Sequence, residues 1–271
     1  AKYVEPYLGK ALVAENRAGA GGQIGWTAAA RSRADGYTLV ATSLPSMNLL
    51  TSLRSDATFK MDEFVYICNF QSDPIVWVVN KDGNLKTAKD VVAYAKANPK
   101  KLNVAGDGPQ SNVQLQHLVA SDILGINTNF VSYSGSAPAL TALLGKQVEL
   151  AASTLSAALS HIEGGRLVPI MVFADKPLPG LKGVPTPQEA FGTKVPSVGS
   201  ALRGIAAPKN TPAAVIAKLE SAFAQAVKDP EFVKQAAAVG ITIEFLGSAE
   251  FTKVVNEYTT QVEAYKHVFN Q

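Results

Sequence analysis

Residues 102–173 read LNVAGDGPQSNVQLQHLVASDILGINTNFVSYSGSAPALTALLGKQVELAASTLSAALSHIEGGRLVPIMVF. Their order of elements decides the fold. Short β-rich runs over 102–105, 129–133, 148–152 and 168–173 alternate with helical patterns over 113–124, 137–144 and 157–163. Each helical pattern stops at glycine, at Gly125, Gly145 and Gly164-Gly165, the residue that most readily ends a helix in a left-handed turn. Such alternation predicts parallel sheets covered by helices. Outward from this stretch the pattern first continues. Strands are expected over 12–14, 37–42, 64–70 and 75–79, with helices over 24–32 and 88–97, the latter stopped at Asn98-Pro99. Residues 175–200 are rich in Pro and Gly and lack a period. After Pro208 helices are expected over 213–227, 232–239 and 249–269. The expected organisation is bilobal. Lobe 1 comprises 1–79 plus 203–271, the helical tail returning to it; lobe 2 comprises 80–202, and a cleft lies between them.

At 271 residues the chain has room for about two domains. Hydrophobic residues are 47% and charged residues 17%, a balance that excludes a disordered chain. The net charge of +3 is spread thinly and no run of five Lys or Arg occurs, so nucleic acid is not an expected partner. Cys68 is the one cysteine, which excludes an internal disulfide, and it stands among Val65, Ile67 and Phe70 as a small core residue. His117, His161 and His267 are isolated, so no metal is expected. No apolar run spans a membrane. The opening AKYVEPYLG reads as the uncapped tail of a helix, and an earlier segment is expected to be missing.

Five polar loops leave strands and enter helices. Glu15 to Gly25, ENRAGAGGQIG, suits an anion, phosphate or carboxylate, at a helix N-terminus. Ile24 breaks the dinucleotide fingerprint, and the acid at the fingerprint distance, Asp35, reads as a turn residue; a tight turn that binds nothing is the bland alternative. Gly106 to Asn112, with Ser111 or Asn112 as a cap, is the second loop, and Tyr133 to Pro138 the third. Ser153-Thr154 and Thr42-Ser43 with Ser46 complete the set. Taken alone each hydroxyl suits a cap; together, at the carboxyl ends of strands, they suit a ligand edge. No Gly-x-Ser-x-Gly elbow and no acid–base pair sits in these loops, which favours binding over chemistry.

The loops also carry a resemblance. VAENRAGAGG (13–22), DGYTL (35–39), YSGSAPAL (133–140), VPTPQE (184–189) and APKNTP (207–212) occur in this order. With them the chain resembles the periplasmic solute-binding proteins of tripartite tricarboxylate transporters, the Bug-type (TctC) receptors. The resemblance implies an α/β fold, a two-lobed type II-like periplasmic binding protein with parallel-rich sheets covered by helices and the ligand in the cleft between lobes. It implies a small organic carboxylate as ligand and the permease subunits of a membrane transporter as partner. It further implies a monomer without cofactor in the periplasm, and recognition by amides, hydroxyls and waters more than by a buried arginine. Carried over to this chain, Ala20, Gly21 and Gly22 would be amide donors, and Thr42 and Ser43 hydroxyl contacts of the first lobe. Gly108, Ser111, Tyr133, Ser134, Gly135, Ser153 and Thr154 would serve from the second. Asp73, at the expected crossing, would receive a ligand amine or repel further carboxylates, its blander role being a turn. Three departures stand out. The family opens with a strand and glycine-rich loop ahead of the position of Ala1. Pro109-Gln110-Ser111-Asn112 lacks the histidine the family places shortly after the serine. Lys146 replaces the second glycine of a common pair. Two other classes remain open: a nucleotide-dependent α/β enzyme, and a periplasmic sensor docking on a signalling kinase.

Overall fold

The computed structural model describes residues 1–178, 180–238 and 241–270. The chain divides into two compact units. One holds Ala1–Ser72 and Leu202–Ala264, the other Asp73–Ala201 and the residues from Tyr265 onward.

The first unit begins with α1 (Glu5–Leu8), α2 (Gln23–Ala30), β1 (Val40–Leu44), α3 (Ser46–Leu53) and β2 (Phe64–Asp73). The second runs through β3 (Ile75–Asn80), α4 (Ala88–Ala97), β4 (Asn103–Asp107), α5 (Asn112–Leu124), β5 (Asn129–Tyr133), α6 (Ser136–Leu144), β6 (Leu150–Thr154), α7 (Leu155–Glu163), β7 (Leu167–Phe173) and α8 (Pro187–Phe191). The chain then returns to the first unit as β8 (Ala201–Pro208), α9 (Ala213–Ala226), α10 (Pro230–Ala238), β9 (Thr242–Leu246) and α11 (Ser248–Tyr265).

The second unit's five-stranded sheet has the order β5-β4-β6-β3-β7. β3 is buried at all six positions, as its unbroken run IVWVVN requires of a strand covered on both faces. Trp77 lies edge-on to Phe173 at 5.3 Å and against the His117 ring at 5.5 Å. β4 pairs in parallel with β5 and β6, whereas β3 pairs antiparallel with both β6 and β7. Thr87 opens α4 through a capping box with Asp90, and Ala88, Val91, Val92 and Ala95 form its buried stripe.

The first unit's four-stranded sheet has the order β1-β8-β2-β9, with β1–β8 and β2–β9 antiparallel. Alternate residues of β8 feed two apolar clusters. Leu202 and Ala206 join Trp26, Leu44, Met47 and Phe251, while Ala207 and Ile205 join Ile67, Cys68, Leu219 and Phe223. Gly204 lies between: a Cβ there would stand 2.4 Å from the Cys68 carbonyl oxygen and 2.6 Å from the Phe251 ring. Cys68 is fully buried, and burial pushes its thiol up to about 12.

Several expectations change. The expected boundary at 79/80 moves to 72/73: the polar break Gln71-Ser72-Asp73-Pro74 separates the two apolar runs, and β3 becomes an inner strand of the second sheet. Among the registers given above, parallel pairing links β4 to β5 and β6, and the other pairs are antiparallel. No strand forms over 12–14; the Leu12 amide is instead bonded to the Glu5 carboxylate at 3.0 Å. The expected strand over 37–42 begins only at Val40. The tail is not all helix, since β9 adds an edge strand, and from Tyr265 the chain belongs to the second unit, packing against α5. The last residue of the helix expected over 232–239, Val239, lies outside the described residues, as does Pro179 of the Pro- and Gly-rich stretch.

Candidate functional site

In the second unit, strand direction gathers the candidate residues. β4, β5 and β6 run parallel, so Asp107, Tyr133 and Thr154 close three strands at one edge. β3 runs the other way beside β6, with Ile75 opposite Thr154, which brings Asp73 to the same edge. Gly108, Ser111, Ser134 and Gly135 follow those strand ends directly. The loops are tied together: the Gly108 amide donates to the Tyr133 carbonyl at 2.8 Å.

Several polar groups of this edge also serve the protein itself. The Ser111 hydroxyl accepts from the Gln114 amide at 3.1 Å and donates to the Asp107 carbonyl at 2.6 Å, capping α5. The buried Ser153 hydroxyl donates to the Thr154 carbonyl at 3.1 Å. The Asp73 carboxylate is buried and takes both the amide, at 3.0 Å, and the hydroxyl of Ser156. It therefore supplies from another strand the cap that Thr154, at the start of α7, does not. Ser134 is exposed, and α6 begins behind Gly135 with no side-chain cap. The N–H groups at that helix start carry partial positive charge and suit an oxyanion.

In the first unit, Ala20–Gly22 form a 3-10 turn entering α2. Its backbone is left-handed at Ala20 (φ 48°), Gly21 (φ 69°) and Gly22 (φ 102°). Gly22 cannot carry a side chain without loss: a Cβ would lie 2.7 Å from the Trp26 ring. The Trp26 Nε1 donates to the Ala41 carbonyl at 3.1 Å, so one indole links the turn to β1, next to Thr42 and Ser43. The Arg54 guanidinium pairs with Asp56 and reaches the Ala20 carbonyl at 3.5 Å. The Thr42 hydroxyl is buried and accepts from the Gly204 amide at 3.0 Å. Ser43 is half-buried, and its Oγ accepts from Arg203 Nη1 at 2.8 Å. A groove of about 900 Å³ runs beside the turn, lined among others by Arg17, Gly22, Trp26, Tyr37 and Ala41.

Three features escaped the sequence reading. Arg203 reaches Ser43 only because β8 pairs with β1. Asn112 and Gln116 hold the 196–200 loop, through Asn112 Nδ2 to the Gly199 carbonyl at 2.9 Å and the Gly199 amide to Gln116 Oε1 at 2.9 Å. Ser197 in that loop donates to the carbonyl of Phe173, at the end of β7, at 2.8 Å, and lies 2.7 Å from Ser200. His117 is fully buried and lies 2.8 Å from Thr128 Oγ1, and burial lowers its pKa to about 3. Both donor sets are thus backbone amides and hydroxyls, joined on the first unit by the guanidinium groups of Arg54 and Arg203.

Residues 1–267 match the model of the tripartite tricarboxylate transporter family receptor, TctC. The chain is 30% identical over 244 residues to Protein BugT of Bordetella pertussis, an alignment covering 89% of this chain and 74% of that protein. Among solved structures, the periplasmic binding protein BugD is 27% identical with a TM-score of 0.81, over 99% of this chain and 90% of its own. MatC from Rhodopseudomonas palustris, solved with bound malate, shares the fold with a TM-score of 0.81 at 24% identity, over 98% of this chain and 90% of its own.

Proposed function

The chain belongs to the receptor family of tripartite tricarboxylate transporters, a family of solute-binding receptors rather than enzymes, and from that premise we propose that it captures a small organic carboxylate in the periplasm and passes it to the permease subunits of a membrane transporter. The observation that carries the ligand class is the donor chemistry. The uncapped start of α6 behind Gly135, the exposed Ser134 and the left-handed Ala20–Gly22 turn offer N–H and O–H groups suited to carboxylate oxygens. MatC, which shares the fold, binds malate. The ligand contacts proposed are the amides of Ala20, Gly21, Gly22, Gly108 and Gly135, and the hydroxyls of Ser43, Tyr133, Ser134 and Thr154. Thr42, Ser111, Ser153 and Asp73 are proposed to act behind them, holding the turns in place. The receptor works as a monomer without a cofactor.

Binding to the folded state stabilises it by RT ln(1 + [L]/Kd), about 2.7 kcal/mol at a hundredfold excess over Kd. A thermal-shift panel of mono-, di- and tricarboxylates is therefore expected to raise Tm by several degrees for at least one acid. No response to any carboxylate, with a shift on adding a nucleotide, would overturn this reading in favour of a nucleotide-dependent enzyme.

A further inference from the structure

We infer that α4 and the turns that flank it form a surface for anionic phospholipid headgroups. The inference goes beyond the receptor reading above. It concerns the sheet edge away from the proposed ligand loops and does not depend on the identity of the ligand.

The net charge that reads as thinly spread over the whole chain is concentrated in one segment. Residues 81–101 hold six lysines, Lys81, Lys86, Lys89, Lys96, Lys100 and Lys101, against two acids, Asp82 and Asp90. That segment is +4 where the whole chain is +3, so the other 250 residues together carry −1. All six lysines are exposed, and among the described residues none is in an ion pair. The Lys86 ammonium donates to the Lys81 carbonyl, which leaves its charge uncompensated. Asp90 is engaged by the backbone: its carboxylate accepts from the Lys86 amide at 3.1 Å and the Thr87 amide at 2.9 Å, closing the capping box of α4.

The fold gathers these cations. Ala88, Val91, Val92 and Ala95 are the buried stripe of α4, so Lys89 and Lys96, two turns apart, share one side of its outer surface with Ala93 between them. Lys81 follows the end of β3, and Lys100 and Lys101 lead into β4. Because β3 runs opposite to β6 and β4 runs with it, both turns lie at the edge away from Asp107, Tyr133 and Thr154. A surface held there leaves the ligand loops of this unit uncovered. Two features select lipid over an acidic protein. Every cation in the segment is lysine and none is arginine. Protein interfaces favour arginine, whose planar fork rewards fixed geometry, and are depleted in lysine. A layer of phosphate headgroups attracts compact ammonium charges without fixed geometry, each adding to the pull within a Debye length. Between the charges the outer face offers only Ala93, Ala97 and the exposed Tyr94, whose ring with a polar tip suits the headgroup level.

The test is co-sedimentation of the full chain with phosphatidylcholine vesicles containing about a third phosphatidylglycerol, beside vesicles of phosphatidylcholine alone. Binding is expected to the anionic vesicles only, and to vanish as salt rises from about 0.05 M to about 0.5 M. Lys89→Gln/Lys96→Gln/Lys101→Gln is expected to weaken partition about 10- to 100-fold. The double variant Lys89→Gln/Lys96→Gln should fall between, which also serves should the triple variant unfold. Lys218→Gln/Lys228→Gln/Lys234→Gln removes the same charge from exposed sites of the first unit, where Glu220, Asp229 and Glu231 accompany the lysines, and should stay within about twofold. No binding of the wild type to the anionic vesicles overturns the inference. Equal losses in the two triple variants also overturn it, since net charge alone would then act. Tighter binding of the wild type to polyglutamate than to the anionic vesicles would assign the face to an acidic protein and overturns it too. Each of these outcomes leaves the carboxylate reading standing.

Discussion

The donor edge of the second unit and that of the first are built in opposite ways. In the second unit the same device recurs: a parallel strand, a short polar loop and a helix start. Three neighbouring strands supply three loops, and the caps come from nearby side chains, as in the Ser111 cap of α5, or from the residue that precedes β3 by one turn position, as in Asp73 on Ser156. In the first unit nothing repeats. A left-handed turn rests on one indole, the indole hangs on one carbonyl of β1, and Arg203 reaches Ser43 from a strand 160 positions away. The repeated edge can lose one cap and keep its form. The first unit's edge depends on single contacts, so small changes there should cost more function per unit of stability.

The largest effect expected is on the second unit and comes from acid. His117 has a folded pKa of about 3, against 6.5 for an ordinary histidine, because burial disfavours the imidazolium. Between these values the unfolded chain binds the proton and the folded chain does not, so stability present above pH 6.5 is lost as pH falls toward 3. The loss is on the order of a few kcal/mol by pH 4.5. Hydrogen exchange resolved by peptide should show α5 and β5 opening as pH falls, and His117→Phe should flatten that profile. An unchanged profile in His117→Phe would place the acid sensitivity elsewhere.

Gly22→Ala comes next and probes the first unit. It combines a left-handed backbone with a Cβ that displaces the Trp26 ring and with it the bond to Ala41, a cost of about 2 kcal/mol. Faster exchange at both α2 and β1, with weaker carboxylate binding, is the expected outcome. Disturbance of α2 alone would break the proposed link through Trp26. The smallest effect belongs to Asp73→Ala, which removes the cap of α7 at about 1 kcal/mol. Its exchange signature should stay within the start of α7, and affinity should change less than in Gly22→Ala. An affinity loss larger than that of Gly22→Ala would invert the comparison and make Asp73 a ligand contact.

The same contrast governs how much could be read from the chain alone. In the second unit each element announces itself locally: glycine stops at Gly125, Gly145 and Gly164, hydroxyls just after strands, and an unbroken apolar run in β3. The error there was one of assignment. Local pattern cannot say which sheet a buried strand such as β3 joins, and the polar break Gln71-Ser72-Asp73-Pro74 is the signal available in the sequence. In the first unit the decisive contacts are long-range. Nothing near Arg203 indicates that it will lie opposite Ser43, and Trp26 reads as an ordinary core residue until Gly22 is seen above it. β9, five residues between two helices, has too short a period to be distinguished from their continuation. The 196–200 loop, with Ser197 and Ser200, lay hidden in a stretch whose only visible property was its Pro and Gly content.

The chain has two tryptophans, and the fold gives one to each unit. Trp77 is sealed between Phe173 and His117, with no surface exposed. Trp26 is the ring under Gly22, its N–H on β1. The protein therefore contains two emitters in unlike settings, one in a dry interior and one a single contact away from the proposed ligand turn. The intrinsic fluorescence of the unlabelled molecule divides into a signal for the integrity of one unit and a signal for events at the turn of the other.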